Sequence, residues 1–144
     1  VNRFTRTAVG ALTVAAVIAP LSAAGTAEAR PAPGRDWTTI ETFEGAKQQA
    51  CKVAINDGTA WRIFNRLDAR RLSDGRVAAT LTATRSGEPV ADRSWASDWV
   101  RHGNVSDVGS FKIPRGARWA LTMSVYGDQS GTGGELSAAS IDRC

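Results

Sequence analysis

ARWALTMSVY, residues 117–126, alternates apolar and small polar side chains without a break. Trp119, Leu121, Met123 and Val125 fall on one side, and Ala120, Thr122, Ser124 and Tyr126 on the other. A period of two marks a strand with one buried face; an amphipathic helix needs apolar positions every three or four residues. RVAATLTAT, residues 76–84, repeats the pattern, with Val77, Ala79, Leu81 and Ala83 opposite Thr80, Thr82 and Thr84.

Working outward, turn chemistry punctuates the chain at NDG (56–58), SDG (73–75), SGEP (86–89) and RGA (115–117). Between these lie further strand candidates. CKVAI (51–55) places Cys51, Val53 and Ile55 on one face. TAWRIFNR (59–66) and VGSFKIP (108–114) are apolar enough for strands. RSWASDWV (93–100) reads as a strand or a helical turn, and GDQSGTGG (127–134) as a long glycine-rich loop before a last strand, ELSAASI. About seven short segments with regular turns predict an antiparallel all-β domain. At this size the expected closure is a small β-sandwich, with a small closed β-barrel as the alternative.

The chain has 144 residues, and its first 29 read as an address. Arg3 and Arg6 precede twelve uncharged residues, Ala8 to Ala19, and Ala27-Glu28-Ala29 then offers a small-x-small cleavage pattern. The run is too short to span a membrane comfortably. We therefore expect a Sec-type signal peptide at 1–29, cleaved after Ala29, on a secreted, extracellular bacterial protein with no membrane span after cleavage. Residues 30–50, opening with the Pro-rich RPAPGR, read as an extended segment or linker, with EGAKQQA a short helical turn; residues 51–144 form a single domain. Cleavage would leave 16 basic and 13 acidic side chains, a net charge of +3. So small an excess demands no polyanionic partner. Cys51 and Cys144 are the two cysteines of the chain. In an oxidising compartment they predict one disulfide.

No motif of a named chemistry stands in the sequence. The segment around Ser130 resembles a protease nucleophile loop only over a few residues, and Gln129 interrupts it. His102 is the single histidine, and with both cysteines committed no zinc set remains. Asp128 and Glu135, flanking the glycine-rich loop, lack the spacing of a dedicated calcium site. No metal and no cofactor are expected. Arg62, Arg66, Arg70, Arg71 and Arg76 fall within fifteen residues and form a candidate basic patch, but no groove or stacking motif accompanies them to suggest nucleic acid. Five tryptophans are a high load for one small domain. Trp61 and Trp119 sit in apolar strands and are expected in the core. Trp95 and Trp99 lie in a polar segment; on a strand they would share a face about 13 Å apart. They are the candidate ligand-binding residues, with Trp95→Ala expected to be mild and Trp119→Ala destructive. The function expected is a secreted non-catalytic binding domain, its partner a polysaccharide, cell-surface polymer or protein. One alternative is an interaction or inhibitor protein acting through loop 67–75 or 127–134. A second is a small carboxylate-dependent hydrolase.

Overall fold

The computed structural model describes residues 36–144. The expected signal peptide and residues 30–35 lie outside the described residues. Two antiparallel sheets pack face to face, and no barrel closes. The stretch Trp119–Tyr126 (β8) lies inside the larger sheet, whose order is β5 (Glu88–Ala96), β4 (Arg76–Arg85), β8, β9 (Gly131–Ser137), with the short β6 (Val100–Arg101) pairing the start of β4. The smaller sheet runs β1 (Thr38–Phe43), β2 (Ala46–Ile55), β3 (Ala60–Asp68), β7 (Gly109–Pro114). The alternation in β4 and β8 is realised: Val77, Ala79, Leu81, Ala83, Leu121 and Val125 are buried between the sheets, while Thr122 and Tyr126 are exposed. The expected bridge is present, Cys51 to Cys144.

Residues 38–50 correct the sequence reading: they are neither linker nor helical turn but β1 and the first half of β2. Glu44 and Gly45 both take positive φ, +49° and +89°, and Phe43 pairs with Ala46. That is the two-residue hairpin turn whose twist matches that of the strands. A Cβ on Gly45 would lie 2.0 Å from the Arg71 carbonyl oxygen, so only glycine fits. In β2 the face shared by Cys51, Val53 and Ile55 is the outer one. Ala46 and Ala50 join the core with residues of the other sheet, whereas Val53 is exposed on the outer face. Cys51 is on that outer face too, buried by its bridge and paired opposite Phe64.

The expected long loop 127–134 shrinks to a four-residue turn, with Gly127 N–H donating to the Ser130 carbonyl at 2.8 Å. The remaining glycines are strand, because β9 begins at Gly131. After β9 a single 3-10 turn, Ala138–Ser140, replaces the expected continuation of the last strand. The chain end then lies beside β2: Lys52 N–H donates to Asp142 O at 3.0 Å and Cys144 N–H to Lys52 O at 3.1 Å. It occupies the edge of β2 just past Ala50, the last β2 residue paired to β1.

The core divides into two clusters. One gathers Ile63, Leu81, Phe111, Ile113 and Leu121, the other Leu67, Leu72, Val77, Val100 and Val125. Gln48 and Asn65, each with 0 % exposure, stand between them along β2 and β3. Gln48 Nε2 reaches across to the Thr80 carbonyl at 2.9 Å, while both polar atoms of the Asn65 amide lack a partner.

Candidate functional site

The two candidate tryptophans part company in the fold. Trp95 belongs to β5, opposite Leu81, and its half-buried ring packs against both core clusters. It presses on Gly109, where a Cβ would come within 2.1 Å of Trp95 Cδ1. Trp99 lies in the irregular link between β5 and β6 and is 43 % exposed. They therefore share no strand face, although both line a groove of about 470 Å³ bounded by the 95–109 segment.

Trp99 is held on two sides. Its ring meets Tyr126 at 5.7 Å between centroids, the planes at 84°. The Arg76 guanidinium stands 4.6 Å from the Trp99 ring centre and is itself fixed to Asp128 at 3.0 Å. Tyr126 is the outward residue at the end of β8, and Arg76 the first residue of β4, so the central strand pair of the larger sheet positions both partners. Asp98, Arg101, Asn104 and Asp107 supply polar atoms along the groove. An exposed aromatic plane beside hydrogen-bonding groups is the chemistry that receives a sugar ring. Tyr126 was missed from the sequence as a site residue; the signal was its place on the polar face of the best-alternating strand.

The five arginines do not form one patch. Arg62 and Arg66 are on the outer face of β3, Arg70 and Arg71 on the turn after it, and Arg76 in the other sheet. Arg66 stacks on Trp37 at 4.4 Å and donates to Gln49 Oε1 at 2.9 Å. Arg70 grips Asp68, Nη2 to Oδ2 at 2.6 Å. Its hydrogen bond, foremost, holds the Asp68 carboxyl below the usual carboxylate range. A general acid needs the opposite displacement.

The chain matches no protein-family model, no curated protein and no solved structure.

Function must therefore be read from side chains. Among the described residues no three His, Cys, Asp or Glu side chains gather as a metal ion would require. Asp128, considered for calcium, is engaged by Arg76, and Glu135 sits within β9 opposite Thr122. His102 Nδ1 is hydrogen-bonded to the Leu72 carbonyl. That contact anchors the turn Ala69–Gly75, where Ala69 and Leu72 are buried and Arg70, Arg71 and Asp74 are exposed.

Proposed function

We propose that this is an extracellular, non-catalytic binding domain whose ligand is a polysaccharide, taken up at Trp99. One observation carries the reading: a large aromatic side chain, 43 % exposed, stands edge-on to Tyr126 and beside the Arg76 guanidinium, which pairs with Asp128. Leaving an indole in water forgoes burial worth a few kcal/mol. Fixing it there removes the rotamer entropy that stacking a ligand would otherwise cost. The adjoining groove offers carboxylate, amide and guanidinium groups to sugar hydroxyls, and its volume lies in the range of small-ligand sites. Secretion rests on the reading of residues 1–29.

The test is tryptophan-fluorescence titration with soluble polysaccharides chosen from a glycan array. Trp99→Ala and Tyr126→Ala should abolish the response and leave the melting temperature within a few degrees. If no glycan is retained, or Trp99→Ala binds as the parent does, the reading fails.

A second reading is favoured by the Ala69–Gly75 turn. It is pinned at Leu72 through His102, and Ser73 N–H donates to the Glu44 carbonyl at 3.0 Å. A rigid turn presenting Arg71 is the shape of an interaction or protease-inhibitor loop. Inhibition of an Arg-specific protease, lost in Arg71→Ala, would replace the first reading.

A further inference from the structure

Trp119 and Tyr126 mark the two ends of β8, seven residues and roughly 23 Å apart at strand rise. At the Trp119 end the sandwich opens into a second groove of about 560 Å³. Its wall is apolar, built from Trp61, Trp119, Ile113 and Ile141. Its charge comes from four side chains: Lys52, Arg115 and Arg143 against Asp142.

The three cations crowd one indole. Arg115 stands 3.8 Å from the centre of the Trp61 ring, Lys52 Nζ 4.9 Å and Arg143 5.8 Å. Neither arginine forms an ion pair among the described residues. Arg115 is at stacking distance from the indole and Arg143 stands farther off, and a guanidinium has five N–H donors to offer a ligand. Lys52 is built into the fold: it lies on the inner face of β2, is 7 % exposed, and donates to the carbonyls of Ala138 at 2.7 Å and Ala139 at 3.2 Å. An ammonium has three donors, so one remains. Burial first, then the Arg143 and Arg115 charges, hold this ammonium below its ordinary range, with Asp142 pulling the other way. Asp142 is in turn engaged by the Thr38 hydroxyl at 3.1 Å. The four charged side chains lining the groove thus sum to +2 beside an apolar wall.

We propose that this groove binds a ring-bearing organic anion, a phosphate monoester of small-molecule size, with its phosphate on Arg115 and Arg143 and its ring against the apolar wall. A phosphate monoester carries about −1.5 to −2 at neutral pH, which matches the uncompensated charge. Arginine forks suit phosphate oxygens in pairs. The Cys51–Cys144 bridge belongs to the site, because Arg143 sits between Asp142 and Cys144, the two residues bonded to the Lys52 backbone. The site is separate from the one at Trp99, so either can fail alone.

The experiment is calorimetric titration of the disulfide-bonded protein with phenyl phosphate, inorganic phosphate and phenol. Phenyl phosphate should bind at least about tenfold more tightly than inorganic phosphate, and phenol not measurably. Arg115→Ala and Arg143→Ala, both at exposed positions whose loss should leave folding intact, should each weaken phenyl phosphate by about tenfold or more, the worth of one charge-assisted contact. Reduction of the bridge should weaken it in the same way. Phenol binding as well as phenyl phosphate, inorganic phosphate binding equally tightly, or both arginine variants binding as the parent does, would each overturn the proposal.

Discussion

Gly109→Ala is the sharpest test of how the domain is packed. An alanine Cβ at this position would lie 2.1 Å from Trp95 Cδ1, 2.4 Å from Nε1 and 3.3 Å from Cγ. Carbon atoms settle at about 3.5–4.0 Å, so the indole must withdraw by roughly 1.5 Å. It has nowhere to go cheaply, since it packs against both core clusters at once. Gly109 is not among the positive-φ residues, so the effect is steric and not one of backbone strain. Overpacking of this kind costs about 1–3 kcal/mol, and we expect the upper part, about 2–3 kcal/mol. The described domain spans 109 residues. At about 2.1 cal/mol/K of unfolding entropy per residue, each kcal/mol lowers the melting temperature by about 4.4 °C, giving a drop of roughly 9–13 °C. Urea melts followed by far-ultraviolet circular dichroism would measure it. In a Trp95→Phe background the smaller ring leaves room, so the same glycine substitution should cost at least about 1 kcal/mol less. A cost below about 0.5 kcal/mol for Gly109→Ala, or strict additivity with Trp95→Phe, would refute the packing and return Trp95 to the candidate ligand surface.

Loss of the bridge in the Cys51→Ser, Cys144→Ser double variant should destabilise by about 4–5 kcal/mol on the chain-entropy model, given the separation of 93 residues; a loss under about 1 kcal/mol in urea melts would contradict it. Asn65→Val should stabilise by about 1 kcal/mol, because a buried amide without a partner gives way to a strand-forming apolar side chain; an equivalent loss would show that the amide is satisfied. Asp68 has a folded pKa below its unfolded value, so its contribution is complete above the ordinary aspartate pKa of about 3.9 and disappears as pH falls through the lower folded value. Asp68→Asn should flatten that acid limb in melts between pH 2 and 6. The effect should stay below about 1 kcal/mol, since the Arg70 partner is 61 % exposed.

How far the sequence reveals this fold depends on which strand is asked. β4 and β8 are legible because their inner faces are wholly apolar, so period two is visible on inspection. β2 is not, because its inner face reads Ala46, Gln48, Ala50, Lys52. Two of those four are polar yet buried, one bonded across the core to Thr80 and the other to the Ala138 and Ala139 carbonyls. Both partners come from distant parts of the chain, and no local pattern announces them. The glycine-rich stretch fails for the opposite reason. Glycine weakens strand signals, yet Gly131, Gly133 and Gly134 pair in register with β8. At the candidate site, the exposure of Trp99 was legible from its polar surroundings. The burial of Trp95 was not, since it depends on the glycine facing it from β7.

The tryptophans and arginines, which the sequence presents as separate excesses, are one feature of the structure. Trp37 carries Arg66 over its ring, Trp99 Arg76, Trp119 Arg93, and Trp61 three cations. Among the described residues, Trp95, the ring pressed against Gly109, is the one tryptophan with none. Six such contacts lie within the 109 described residues, five of them made by arginine. They cover rings that the sandwich leaves partly exposed; of the five arginines from Arg62 to Arg76, Arg66 and Arg76 do so, in different sheets. One guanidinium suffices for that purpose at Trp37, Trp99 and Trp119. Trp61 has three cations where covering needs one, and they repel each other beside an apolar groove with a single carboxylate. Arg115 covers the ring and Lys52 is bonded to the Ala138 and Ala139 carbonyls, so Arg143 is the cation left without a structural task, and the proposed anionic ligand would give it one.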